Sequence, residues 1–113
     1  MLGVKLICVG KMRERFYIDA FEEYRKRLGA YCRLELVELA EQRLPDKPSA
    51  AEIAAALEKE GAEILREIPS DAFACALCIE GKELSSEAFS ALFTERENSG
   101  KPKICFVDRK SVV

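Results

Sequence analysis

The residues of this chain that could do chemistry on a substrate are five cysteines, an adjacent pair of serines and a set of carboxylates; histidine is absent. Cys75-Ala-Leu-Cys78 has the C-x-x-C spacing of a redox dithiol or of half a zinc site. A redox dithiol needs its reactive thiol at a helix N-terminus, where the local field favours thiolate. These two lie instead within Ala72-Phe-Ala-Cys-Ala-Leu-Cys-Ile79, which is apolar throughout and reads as a strand. In a strand, positions 75 and 78 point to opposite faces. A structural zinc needs a second pair of ligands, and Cys8, Cys32 and Cys105 are scattered singly. The cysteines therefore read as small buried hydrophobes in a reducing cytosol.

Ser85 and Ser86 have neither a histidine partner nor a G-x-S-x-G elbow around them, so they read as helix caps rather than nucleophiles. Glu22-Glu23 and the pair Glu58/Glu60 fall on helical stretches with Lys and Arg nearby, and read as solvated faces. Acid–base work asks for burial at a strand end. Only Glu80 meets the strand-end condition, and it reads as a loop residue. Neither G-x-G-x-x-G nor G-x-x-x-x-G-K-[ST] is present, so Gly81-Lys82 is not the end of a phosphate loop. The sequence singles out no catalytic base and no metal site. Tyr24-Arg-Lys-Arg-Leu28, with Tyr17 and Tyr31 nearby, could contact RNA phosphates and bases. With a net charge of −2 from 18 basic and 20 acidic residues, the chain is not a strongly basic nucleic-acid module, and this stretch reads first as a solvated helix face.

These residues need elements to position them. Val4–Val9 is a short apolar run closed by Gly10, as in a buried parallel strand. Phe16, Ala20, Phe21, Tyr24 and Leu28 recur at helical spacing, with Gly29 at the C-terminal end. Arg33–Leu39 is a second strand. Pro45 and Pro48 mark a loop. Ser49-Ala-Ala-Glu52 is a capping box that opens a helix through Ile53, Leu57, Ile64 and Leu65, stopped by Pro69. Ala72–Ile79 is a third strand, expected at the centre of the sheet because it is apolar on both faces. A helix with Phe89, Leu92 and Phe93 inward and a fourth strand, Lys103–Val107, complete a β-α-β-α-β-α-β order. This implies one α/β domain: a mostly parallel sheet with helices on both faces, and at least one reversal of strand order whose crevice is the default ligand site. No apolar run approaches the roughly 20 residues of a membrane span, and Met1-Leu-Gly-Val-Lys5 is not a signal peptide.

Three segments carry a resemblance. Val9-Gly10-Lys11 followed by Tyr24-Arg-Lys-Arg-Leu28, then Glu58-Lys-Glu-Gly61, then Leu77-Cys-Ile-Glu-Gly-Lys82 with Leu84-Ser-Ser-Glu87, resemble in order and spacing the RlmH-type ribosomal RNA methyltransferases of the SPOUT class. The resemblance covers residues 4–107. It implies a SPOUT α/β knot that uses S-adenosylmethionine to methylate N3 of a pseudouridine in large-subunit ribosomal RNA, in the cytoplasm and as a homodimer. It also implies cofactor contact by Leu77, at the end of the third strand. After Val107 the family has a Gly-Gly loop; here Asp108-Arg-Lys-Ser-Val-Val113 follows. The expectation is thus residues 1–107 as the N-terminal part of a SPOUT-like domain, 108–113 as a non-family tail, and the knot-forming part missing. Such a truncated chain is expected to hold the cofactor weakly, to be inactive alone, and not to keep the dimer. The alternative is a non-catalytic α/β module that binds RNA or protein through the Tyr24–Leu28 face.

Overall fold

The computed structural model describes residues 1–78 and 80–108. The elements run β1 (Leu2–Val9), α1 (Arg15–Leu28), β2 (Cys32–Leu39), α2 (Ala50–Glu67), β3 (Phe73–Leu77), α3 (Ser86–Glu97) and β4 (Lys103–Asp108). The strands form one sheet in the order β2-β1-β4-β3, and every pairing is parallel. The α/β reading of the sequence holds. Helices cover both faces: Phe93 of α3 packs on the face of Leu2, Val4, Ile104 and Phe106, whereas Ile64 of α2 packs on the face of Ile7, Val9 and Cys105. Ile7 and Cys105 are 0% exposed, and so lie at the centre of the core.

Local chemistry explains where the helices start. Ser49 Oγ accepts the Glu52 N–H at 3.1 Å while Glu52 Oε1 accepts the Ser49 N–H at 3.1 Å, the reciprocal capping box expected from the sequence. Ser85, not Ser86, caps α3 by accepting the Ala88 N–H at 3.0 Å. Near the end of α3, Arg96 lies over the Phe73 ring at 4.8 Å, and its Nε is buried without a hydrogen-bond partner among the described residues. The ring face gives that cation a favourable, weaker substitute for an acceptor. At the amino edge the Lys103 ammonium hydrogen-bonds Asp71 at 3.0 Å and holds its carboxyl below the ordinary range.

Three expectations are corrected. β3 is an edge strand, not a central one. The chain crosses from β2 at one edge to β3 at the other, and β4 then fills the gap beside β1. The alanines of β3 and its Phe73 and Leu77 are left exposed. Second, α1 turns Ile18 and Phe21 toward the sheet, whereas Phe16, Tyr24 and Leu28 face outward. The helix carries two apolar arcs, and the sheet takes the narrower one. Third, Cys78 is exposed beyond the end of β3; Cys32 and Cys105 are buried, Cys8 and Cys75 half-buried, and all five are free. The 108–113 segment lies outside the described residues except for Asp108, which closes β4.

A core of this kind predicts steep position dependence. Ile104→Ala, at a side chain 1% exposed, should cost about 2–5 kcal/mol in urea denaturation. Leu65→Ala, at a side chain 71% exposed, should stay within about 0.5 kcal/mol.

Candidate functional site at the carboxyl edge of the sheet

In a parallel sheet every strand ends at the same edge, and each following helix starts there. The reversal of strand order falls between β1 and β4. A single register row crosses the sheet at that edge: Glu38 pairs with Cys8, Cys8 with Asp108, and Asp108 with Leu77. Partners in a parallel ladder share a face, so these four side chains lie along the face covered by α1 and α3. Above the row is a crevice of about 610 Å³ lined by Leu6, Cys8, Tyr17, Phe21, Glu38 and Asp108. Burial pushes the Cys8 thiol up from its ordinary pKa, and the charges of Asp108 and Glu38 push it further. Cys8 therefore stays a thiol at neutral pH and is no nucleophile.

A second cleft, about 880 Å³, lies on the other side of the 10–14 loop, against the 40–48 loop and α2. The two loops converge at Gly10. Its φ of 98° is closed to most side-chain-bearing residues. Its N–H donates to the Leu39 carbonyl at 2.7 Å, which extends the β1–β2 ladder by one bond. A Cβ there would stand 2.6 Å from Glu41 Oε1, the mobile end of an exposed side chain, so the positive φ is the stronger demand for glycine. Each loop is tied down by one carboxylate. Glu38 Oε2 accepts the Met12 N–H at 2.9 Å, and Glu60 Oε2 accepts the Gln42 N–H at 2.9 Å.

Glu60 corrects the sequence reading. A solvated face is expected for it, yet it is 3% exposed. The signal is present in the sequence: Ile53, Ala56, Leu57, Glu60 and Ile64 fall on one stripe at helical spacing, with the glutamate in its middle. A carboxylate survives there because the loop supplies it with a donor. Glu38 is hidden by strand alternation, being the polar member of an otherwise half-buried strand end.

Leu77, the residue expected to touch the cofactor, ends β3 and is 47% exposed. It offers an open apolar side chain at the correct edge. Just beyond it the Gly81 N–H donates to the Cys78 carbonyl at 3.1 Å, in a turn so close that a Cβ on Gly81 would stand 3.1 Å from that oxygen. An apolar strand end followed by a tight backbone turn is the kind of lining that small-molecule sites use. Glu80 lies in this turn, exposed. The Tyr24–Leu28 stretch lies elsewhere, on α1, where Arg25 and Arg27 pair with Glu22 and Glu23. Among the described residues no group of three or more Cys, Asp or Glu is placed to hold a metal ion, and no helix is long and apolar enough to cross a membrane.

The described sheet is an all-parallel α/β sheet with its reversal between β1 and β4, and an apolar strand end and a tight turn lie at the same carboxyl edge, on β3. The sequence places it more closely: residues 2–107 match a family described as predicted SPOUT methyltransferases, and the chain belongs to that family. It is 41% identical over 106 residues to the ribosomal RNA large subunit methyltransferase H of Clostridium beijerinckii. It is 43% identical over 106 residues to that of Streptococcus equi subsp. zooepidemicus, and 41% to that of Listeria monocytogenes. Each alignment covers 94% of this chain and 67% of the relative.

The convergence at Gly10 is open to test. Gly10→Ala should lower stability by about 1–2 kcal/mol through its positive φ, read by urea denaturation. It should also raise the rate of proteolytic cleavage in the 40–48 loop. Wild-type stability and cleavage would show that the loops converge without it.

Proposed function

We propose that this chain serves S-adenosylmethionine-dependent methylation of large-subunit ribosomal RNA, at N3 of a pseudouridine, in the cytoplasm. The observation that carries the reading is Leu77 at the end of the register row, together with membership of a methyltransferase family. When bound, the sulfonium cofactor supplies a methyl group to a nucleophilic ring nitrogen. The chain's own task is then placement and exclusion of water. Leu77 and Gly81 hold the adenosyl end, and the crevice over Cys8 and Asp108 receives the target base. Residues 1–107 act as one SPOUT-like unit. No protein nucleophile takes part, which agrees with a Cys8 thiol held protonated.

Against the expectation that the shortened chain does not keep the dimer, a second copy of the chain is the partner for α1. Phe16, Tyr17, Tyr24, Leu28 and Tyr31 are all exposed, from 40% to 76%. Arg15–Asp19 and Arg27–Glu23 pairs border this surface with charges of both signs, so two copies can meet there without net repulsion. A solvated aromatic surface of this extent is unusual for a free monomer.

Deleting the gene for this chain in its host should remove N3-methylpseudouridine from nucleoside digests of large-subunit RNA, read by mass spectrometry. Leu77→Asp at the native locus should reduce that nucleoside strongly. Unchanged content in the deletion strain overturns the assignment. In sedimentation velocity the wild-type chain should run as a dimer and Tyr24→Glu as a monomer; a wild-type monomer overturns the pairing through α1.

A further inference from the structure

Among the described residues six cations are ion-paired and the others, Lys26 of α1 included, are not. On α1, Arg15, Arg25 and Arg27 each lie within 4 Å of a carboxylate about one turn away, on Asp19, Glu22 and Glu23. Lys5, Arg96 and Lys103 are likewise paired, with Glu67, Glu95 and Asp71. A paired cation presents an incoming phosphate with a dipole rather than a full charge. At the carboxyl edge the situation differs. Lys11 and Arg13 on the first loop and Arg43 on the second are exposed and line the 880 Å³ cleft. None of the three makes an ion pair among the described residues.

The nearby acids are committed elsewhere. Glu38 and Glu60 each give an oxygen to a main-chain N–H, which draws them inward and fixes the loops that carry the cations. Glu41 remains at the rim beside Gly10. Helices α1 and α2 both begin at this edge, so the positive ends of their dipoles add to the field of the cations. The cleft is of a size that admits a nucleotide.

We propose that the RNA backbone docks on the rim formed by Lys11, Arg13 and Arg43, at the convergence of the loops after β1 and β2, and not on the basic stretch of α1. The inference rests on the RNA-methylating reading and adds to it the surface that receives the RNA. The three cations take phosphates of a looped strand, Glu38 and Glu60 act as positioning residues for them, and Glu41 opposes them. The paired arginines of α1 stay with their own carboxylates, which leaves that helix free for a second copy of the chain.

The test is equilibrium binding of a fluorescein-labelled RNA hairpin, with pseudouridine in its loop, to the purified chain across a salt series. The wild-type chain should bind with an affinity that falls steeply with salt. The combined variant Lys11→Gln, Arg13→Gln, Arg43→Gln should flatten the log–log slope by about two, at roughly 0.7–0.9 for each phosphate no longer neutralised, and weaken binding about tenfold or more. Arg25→Gln, Lys26→Gln should leave slope and affinity as in the wild type, and Glu41→Gln should tighten binding. Thermal melts of each variant confirm that these surface changes leave the fold intact. A loop variant that binds like the wild type, a helix variant that loses binding, or a wild-type chain without affinity for the hairpin overturns the docking surface. The methylating reading is decided separately, by the nucleoside content of the deletion strain. Loss of N3-methylpseudouridine there, with binding untouched in the loop variant, would overturn the docking surface alone.

Discussion

The structure depends on β1 being hydrogen-bonded along both of its edges. It is hydrogen-bonded to β2 over Leu2–Val9 on one side and to β4 over Gly3–Cys8 on the other. Its two faces are packed under different helices. A strand in that position has its main-chain groups bonded on both sides and is largely apolar, Lys5 with its Glu67 partner being the exception. From this the rest follows. β4 has to lie beside it, α2 has to supply Ile64 to one face, and α3 has to supply Phe93 to the other. The ends of β1 and β4 are then brought to the same edge, where the strand order reverses.

Much of this was legible in the sequence because it is local. Ser49 and Glu52 are three residues apart and cap each other; Gly10 ends an apolar run and takes the one conformation that needs a glycine. What was not legible depends on where distant elements meet. The apolar run of β3 states that the strand avoids water, but not which neighbours it has, and among the described residues it is bonded only to β4. On α1 the aromatic arc through Phe16, Tyr24 and Leu28 outweighs the arc through Ile18 and Phe21 in composition, yet the sheet takes the second. Glu60 escapes sequence reasoning for a related reason. Its polarity argues for solvent, whereas the Gln42 N–H of a loop 18 residues earlier helps to make its burial tolerable.

The candidate site shows how a parallel sheet gathers function without any linear motif. Glu38, Cys8, Asp108 and Leu77 come from four strands and have nothing in common in sequence, yet the register sets them in one row. Chemistry that relies on placement rather than on an activated side chain suits such a site. It requires an apolar strand end, a close backbone turn and rigid loops, and each of these follows from packing.

The strand order has a consequence in time as well as in space. Val4 pairs with Ile104, 100 positions further along the chain. During synthesis β1, α1 and β2 are available early and can associate, but the second edge of β1 stays bare until β4 has been made. A bare, apolar strand edge is a template for pairing with any other chain, and closures across so many residues are slow. The same central position that makes β1 the most protected strand of the finished molecule makes it the most exposed one in the nascent chain. The hazard for this fold thus lies in its assembly, before the last strand arrives.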